Sequence, residues 1–317
     1  MTGALGCIGA WVVRRLVREN VPVVALDAAS DMRRLRLLMN DTELSRVEVV
    51  QGDITNFDLL QNTLDAHGVT HVIHLAAILH PQFKSAPPLG ARVNVLGGVN
   101  LFEAAAQRGQ QIQRIVHASS IAVYDRSDAS DGTAIGHHAV GRPTTLYGVF
   151  KQAEEAMARV YFQDRGVSSI GLRPATVFGV GRDYGLTSAP TEAVLAVARG
   201  KSFHIPYGGR SHFHYADDLA AIFIASARAE YSGAEVFNIC GTTAQMHEVV
   251  EAIEAVEPGA RGSISFGGPV LPLPEDYDAS ALEAVIGALP RTPLRGAFHE
   301  TLEILRQNIA NGTVRGS

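Results

Sequence analysis

The sequence predicts an α/β fold in which a doubly wound parallel sheet carries a smaller second domain. Three observations lead there. Short apolar runs alternate with amphipathic segments, a glycine-spaced turn opens the chain, and 317 residues exceed what one minimal core needs. Strands separated by helices form βαβ units with right-handed crossovers, and such units build a parallel sheet.

Six β-rich runs are predicted as strands: Val21–Leu26, Val47–Val50, His71–Leu75, Ile115–Ala118, Val167–Leu172 and Val236–Cys240. Helices are predicted where apolar residues recur every three or four positions. They cover the segment that holds Ile8, Val12 and Leu16, then Asn94–Gln107, Leu146–Tyr161, Tyr215–Arg228 and about 294–309, where Leu302 and Leu305 share a face.

The domain boundary is expected near Pro174, because the alternation weakens there and glycine- and proline-rich loops follow. We expect a nucleotide-binding domain in 1–173 plus 211–240. A smaller substrate-binding domain is expected in 174–210 plus 241–317.

Composition excludes several classes of protein. Hydrophobic residues make up 46% and charged residues 19%, which excludes a disordered chain. A net charge of −5 without a basic block argues against a nucleic-acid partner. No apolar run approaches the roughly 20 residues that span a bilayer, and no signal pattern opens the chain. Cys7 and Cys240 are too few for a disulfide framework or a structural zinc site, so we expect small buried hydrophobes in a cytoplasmic protein.

The first chemical motif is a turn with glycines at positions 3, 6 and 9. Gly3 permits the tight turn, Gly6 lets a pyrophosphate approach the backbone, and Gly9 lets the next helix pack closely. Asp27 follows at the end of the next strand, where a carboxylate binds a ribose 2′-hydroxyl and repels a 2′-phosphate. NAD is therefore favoured over NADP, against the alternative of a turn or capping aspartate. Arg33 and Arg34 are expected on a solvated helix face, with binding of a 2′-phosphate as the alternative.

The strand that should precede this turn has no room, because the turn begins at Thr2. Three explanations remain: the start of the chain is assigned too late, the chain is trimmed, or the sheet lacks its central strand. Such a strand would bury perhaps four apolar side chains, each worth about 1.5–3 kcal/mol. That loss favours a misassigned start.

The second motif is Tyr147 followed by Lys151, which share one face of a helix at i and i+4. A cation favours a phenolate over a phenol, so such a lysine makes a tyrosine a usable base. An exposed helix pair is the alternative. Ser120 strengthens the catalytic interpretation, because it ends a strand at the sheet edge where sites form and can hold a substrate oxygen.

These motifs together resemble the extended short-chain dehydrogenase/reductases, the NAD-dependent epimerase/dehydratase family that includes UDP-galactose 4-epimerase. The resemblance covers almost the whole chain. It rests on the glycine turn, Asp27, Gly52-Asp53-Ile54, His74-Leu75-Ala76-Ala77, Asn94, Ser119-Ser120, Tyr147 with Lys151, Arg173-Pro174 and Tyr215-Ala216-Asp217-Asp218.

The resemblance implies a Rossmann-type fold, bound NAD and a role for each matching residue. Tyr147 would be the catalytic base, Lys151 would hold the nicotinamide ribose, and Ser120 would orient the substrate. The remaining cofactor contacts would come from Gly3, Gly6, Cys7, Ile8, Gly9, Asp27, Asp53, Ile54, Leu75, Ala76, Ala77, Asn94 and Pro174.

Departures from the family pattern bear on the substrate. Ile121-Ala122 stands where the dehydratases carry an Asp-Glu pair, which disfavours dehydration. Ser211 stands where sugar-nucleotide enzymes carry an arginine, and Arg210 lies one position early. Candidate substrate contacts are His80, Arg182, Arg210 and His212. No metal site is predicted, and Glu154 and Glu155 are expected on a solvated helix face.

The predicted function is hydride transfer between NAD and a secondary alcohol or ketone of a polar, sugar-like substrate: a sugar acid, polyol or hydroxy acid. A nucleotide-sugar 4-epimerase is the alternative, and a non-catalytic NAD-binding regulator is an alternative of another class. The resemblance further implies a homodimer that pairs the helices near 94–107 and 146–161 in a four-helix bundle. Their apolar residues Val95, Leu101, Phe102, Val149, Phe150 and Met157 suggest the same surface.

Overall fold

A computed structural model describes residues 1–79, 85–129, 134–185 and 187–314. In chain order the strands are β1 (Val23–Asp27), β2 (Val47–Gln51), β3 (His71–His74), β4 (Arg114–Ala118), β5 (Ser169–Arg173), β6 (Thr176–Phe178), β7 (Phe203–Ile205), β8 (Arg210–Tyr215), β9 (Ala234–Asn238), β10 (Thr242–Gln245) and β11 (Ile264–Phe266). The helices are α1 (Cys7–Arg18), α2 (Arg33–Leu38), α3 (Asp41–Leu44), α4 (Phe57–Ala66), α5 (Pro87–Ala91), α6 (Gly97–Ala106), α7 (Leu146–Arg165), α8 (Ala189–Ala198), α9 (Ala216–Arg228), α10 (Met246–Val256), α11 (Ser280–Ile286) and α12 (Leu294–Ala310).

The main sheet is parallel and confirms the predicted fold class. Strand β2 pairs with β1, and β3, β4, β5 and β9 follow one another in that order. Between β1 and β3 the described residues place Met1 and Thr2. Thr2 forms parallel bridges to Leu26 on one side and His74 on the other. These two residues therefore pair with the neighbouring strands at one end of the position where the first strand is expected.

Helices cover both faces of this sheet. Helix α1 packs against α9, whereas α4 packs against α6 and α6 against α7. Helices α4, α6 and α7 enclose a core that includes Leu101 and Phe102, both fully buried. Their assignment to a dimer surface is therefore wrong, because the side of α6 that carries them faces the chain's own sheet.

The chain after β5 builds smaller sheets. Strands β10, β8 and β6 pair in that order, and β11 pairs with β7. Strand β8 therefore belongs to a different sheet from β9, although all of β9 and all of β8 except Arg210 fall within the predicted nucleotide-binding segment 211–240. The predicted division of the chain stays a prediction, and α9 returns the chain to the main sheet by packing on α1.

Two helices differ from their predicted bounds. Residues Arg92–Leu96 form a π-helical turn, so α6 begins at Gly97 and not at Asn94. Helix α7 continues to Arg165, where Gly166 takes a left-handed φ of 68° and ends it. Of the helices in the described ranges, none combines the length and apolar composition that a membrane crossing requires.

Candidate active site

The glycine turn lies directly against the end of β3. Gly3 has a φ of 66°, and a Cβ there would lie 2.5 Å from the backbone nitrogen of Ala76. A Cβ at Gly9 would lie 2.3 Å from the carbonyl oxygen of Gly3. Helix α1 begins at Cys7 without a side-chain cap, so its first N–H groups are available to an anion. This cradle fits the pyrophosphate of a dinucleotide.

Asp27 reaches this turn from the end of β1. Its Oδ2 accepts a hydrogen bond from the Leu5 N–H at 2.9 Å, and its Oδ1 accepts one from the Ala29 N–H at 3.0 Å. The carboxylate is partly exposed. It therefore stands next to the phosphate cradle, where a ribose hydroxyl would meet it.

Arg33 is exposed on α2, as predicted, whereas Arg34 is only partly exposed. Both guanidinium groups form ion pairs with Asp183, which follows β6. Arg34 also donates to the carbonyl oxygens of Gly181 at 3.0 Å and Leu5 at 3.2 Å. Both arginines are therefore paired within the protein, and the contacts of Arg34 connect α2 to the glycine turn.

Other predicted cofactor residues directly follow β2 and β3. Asp53 is exposed, whereas Ile54 is buried against Gly97 of α6. Leu75, Ala76 and Ala77 are partly buried after β3.

Asn94 is buried in the π-helical turn, and both ends of its amide bond the backbone of Ile78. The Oδ1 atom accepts at 2.8 Å and the Nδ2 group donates at 3.1 Å. Its observed contacts thus support the chain beside Ala77.

The chain brings Ser120, Tyr147 and Pro174 to one edge of the sheet. Ser120 follows β4 and accepts a hydrogen bond from the Ala122 N–H at 3.1 Å. A Cβ at Gly148 would lie 2.0 Å from the Ala122 carbonyl oxygen, so the first turn of α7 rests on the turn that Ser120 begins. The Pro174 carbonyl accepts from the Ile121 N–H at 3.2 Å.

Lys151 lies one helical turn beyond Tyr147 and is buried. Its Nζ donates to the Ala118 carbonyl at 2.5 Å and to Glu154 at 3.0 Å. Burial by itself would lower the pKa of the Lys151 ammonium, but Glu154 and Tyr147 raise that pKa above its ordinary value. The lysine is therefore a fixed positive charge beside Tyr147.

Glu154 and Glu155 are buried, so their placement on a solvated face is wrong. Glu155 forms a two-point ion pair with Arg173 of β5, at 2.8 and 2.7 Å, and accepts from Ser119. Arg173 also donates to the Tyr124 hydroxyl at 2.6 Å. Arg173 is a lone charge in an apolar strand, and that signal would have indicated a buried acidic partner.

The predicted substrate residues in the described ranges lie on or near the sheet of β10, β8 and β6. Arg210 forms an ion pair with Asp276, and the same carboxylate lies 3.4 Å from His212 Nε2. His212 is buried on β8, and Arg182 is partly buried and donates to Thr187 at 3.1 Å. His80 lies outside the described residues.

Three other histidines and the two cysteines differ in how far they are buried. His214 is buried beside His212, and burial lowers its pKa to about 3. In the described ranges, the ligand atoms of His137, His138 and Glu235 lie within 4.8 Å of one another, and two of these residues are exposed. Cys240 is buried, whereas Cys7 is only partly so, and burial raises the pKa of the Cys7 thiol to about 11.

The glycine turn, Asp27 at the end of β1 and the Tyr147–Lys151 pair accompany the fold of an NAD-dependent enzyme of the extended short-chain dehydrogenase/reductase type. The model of the NAD-dependent epimerase/dehydratase family matches residues 1–240, and the chain belongs to that family.

Relatives and a solved structure agree with this assignment. UDP-glucose 4-epimerase of Mycolicibacterium smegmatis is 30% identical, over 96% of this chain and 97% of that protein. UDP-glucuronate 4-epimerase 2 of Arabidopsis thaliana is 33% identical over 69% of this chain, which spans only about half that protein's length. The structure of MoeE5 in complex with UDP-glucuronic acid and NAD is 27% identical, with a TM-score of 0.76 over 97% of this chain and 98% of that one.

Proposed function

We propose that this protein catalyses reversible hydride transfer between NAD and a secondary alcohol or ketone of a polar, sugar-like substrate. One observation supports this above the others. The first turn of α7, which carries Tyr147, rests on the turn of Ser120, and the buried Lys151 ammonium lies one helical turn behind. A family relative that only sensed NAD would not need this arrangement.

In the proposed mechanism Tyr147 is the base that takes the hydroxyl proton of the substrate. The Ser120 hydroxyl holds the reacting oxygen, and the Lys151 charge favours the phenolate and binds the nicotinamide ribose. NAD supplies the hydride acceptor when it is bound. The glycine turn and Asp27 would hold its pyrophosphate and adenine-side ribose.

The substrate class follows from groups that flank the site. Ile121 is buried and carries no acid, so the residues after Ser120 offer no proton to a leaving hydroxyl. Arg210 is engaged by Asp276, and Arg182 is the candidate contact for an anionic group. A sugar acid, polyol or hydroxy acid fits these features.

A nucleotide-sugar 4-epimerase is the second candidate. The match to UDP-glucose 4-epimerase over 97% of that protein favours it. Epimerisation uses the same half-reaction twice, with the ketone turned over between the two hydride transfers, so it needs no catalytic group beyond Ser120, Tyr147 and Lys151.

A substrate screen tests the function and separates the candidates. Sugar acids, polyols, hydroxy acids and UDP-sugars are incubated with enzyme and NAD, and NADH absorbance and product configuration are followed. Net NADH formation is expected for a dehydrogenase, and inversion without net NADH for an epimerase. Tight NAD binding with no turnover of any substrate would instead indicate the regulatory, non-catalytic class.

We also propose a homodimer that forms through α7 and the neighbouring segment before α6. Apolar residues repeat along α7 at heptad spacing: Leu146, Val149, Ala153, Ala156 and Val160. Leu146, Val149 and Val160 are 48%, 43% and 51% exposed. Leu89 and Leu96 continue this exposed surface on the segment before α6. A second copy would bury the stripe in a four-helix contact.

Light scattering at micromolar concentration should give twice the chain mass. Val149→Glu places a charge in the centre of the stripe, so we expect it to shift the protein toward the monomer. Val140→Glu is the matched control, because Val140 is 82% exposed outside the stripe. A wild-type protein of monomer mass would refute the proposal.

The cellular location that we propose is the cytoplasm. Both cysteines are free, which is typical of a reducing compartment.

A further inference from the structure

A series of buried ionisable side chains extends from Lys151 into the main sheet. Glu154 lies next to Lys151 on α7, with Oε2 3.0 Å from Nζ, and its side chain is 1% exposed. Its second oxygen, Oε1, faces two imidazoles, with His74 Nε2 at 3.4 Å and His117 Nδ1 at 3.5 Å. These histidines are direct partners on the paired strands β3 and β4. The carboxylate is therefore enclosed on both sides.

His74 is a neutral imidazole and not a cation. His74 Nδ1 lies 2.6 Å from the Thr2 hydroxyl, and burial lowers the pKa of His74 to about 4. A neutral ring that accepts from Thr2 at Nδ1 carries its proton on Nε2, which faces Glu154. His117, the other imidazole that faces Glu154, is fully buried. Of the basic groups that face Glu154, Lys151 lies nearest, with Nζ 3.0 Å from Oε2.

Lys151 depends on this carboxylate in turn. Other charged or titratable groups that face Lys151 are Tyr147 and Glu155 on its own helix, and Glu155 is neutralised by Arg173 of β5. Strand β4 contributes the Ala118 carbonyl, which is a dipole. An ammonium removed from water without a counter-charge loses its proton more readily.

Burial acts against both charges of the pair. It would by itself raise the pKa of Glu154, yet Lys151 and His117 hold that pKa well below its ordinary value. The pair is therefore ionised at neutral pH.

We propose that Glu154 is a positioning residue for Lys151, which keeps the buried ammonium charged and held beside Tyr147 while His74 and His117 hold Glu154 itself. This inference rests on the role of Lys151 under the proposed function. It predicts that the charge of Lys151, and with it the affinity for NAD, becomes dependent on pH when Glu154 is neutral.

Calorimetric titration of NAD tests this without a known substrate. Wild-type affinity should be nearly constant between roughly pH 6 and 9, because Lys151 stays protonated there. Glu154→Gln keeps the shape and removes the charge. Its affinity for NAD should fall at least about tenfold across the same range as Lys151 loses its proton. Glu154→Asp keeps the charge at a shorter reach and should fall less.

Three further variants define the outcome. Asp164→Asn removes an exposed charge of the same helix and should leave the profile flat. Lys151→Met should bind NAD weakly at every pH, and the double variant Glu154→Gln/Lys151→Met should match it. A flat, wild-type profile in Glu154→Gln beside a weakened Lys151→Met would overturn this inference alone. Unchanged binding in Lys151→Met would refute the role of Lys151 and the inference with it. If Glu154→Gln fails to fold, the Glu154→Asp profile decides, and a profile equal to wild type is the contrary result.

Discussion

Tyr147→Phe is expected to lower turnover by about 10²–10⁴, the usual contribution of a general base. The change removes one hydroxyl and keeps the ring, so the first turn of α7 should still rest on the Ala122 carbonyl. NAD affinity and the melting temperature should therefore stay near those of the wild type. The measurement is kcat on the substrate found by screening, with NAD titrated separately.

Three variants control this experiment. Tyr184→Phe removes a hydroxyl from a residue that is 41% exposed outside α7, and it should keep full activity. Lys151→Met should reduce both turnover and NAD affinity, whereas Ser120→Ala should reduce turnover and leave NAD affinity nearly unchanged. Near-full turnover in Tyr147→Phe would mean that another residue carries the proton.

Glu155→Gln is expected to destabilise the folded protein by about 3–5 kcal/mol, the usual cost of removing one partner from a buried ion pair. The Glu155 and Arg173 side chains are 8% and 9% exposed, so water cannot replace the lost carboxylate. Arg173 would lose its counter-charge, although its contacts with Tyr124 and Asn238 remain. Urea unfolding of wild type and variant measures the difference in the free energy of unfolding.

The control is Glu283→Gln, which breaks the exposed pair with Arg291 at 2.9 Å. Surface pairs of this kind contribute about 0–1 kcal/mol. Equal free-energy changes in the two variants would show that burial does not determine the strength of the Glu155–Arg173 pair. A double variant, Glu155→Leu with Arg173→Met, should recover much of the loss, because it leaves no unpaired charge.

Much of the main sheet was predictable from local pattern. All six predicted strands begin and end within two residues of the observed strands β1, β2, β3, β4, β5 and β9. Buried parallel strands are short, continuous apolar runs, so sequence periodicity identifies them well. The glycine turn and Asp27 were predictable for a similar reason, since close backbone contact at Gly3 requires that residue type.

Residues misjudged from the sequence share one property, which is that their environment comes from distant segments. Leu101 and Phe102 are apolar residues of a helix, and the packing of α6 on α4 and α7 decides that they face the core. Arg34 bonds Asp183, which is 149 residues away along the chain. Helical periodicity reports on neighbouring positions, so it does not predict contacts between segments that are far apart in the sequence.

The sequence by itself determined the family, the cofactor and the residues that we propose for catalysis. Each depends on short spacings, such as three residues between glycines and four between Tyr147 and Lys151. Only the tertiary structure decided the ionisation of the site. Glu154 meets His74 and His117 because β3 and β4 pair in register, and Glu155 meets Arg173 because β5 lies beneath α7. Burial and the identity of the facing charge set the state of an ionisable group, and both arise only when separate strands and helices are packed together.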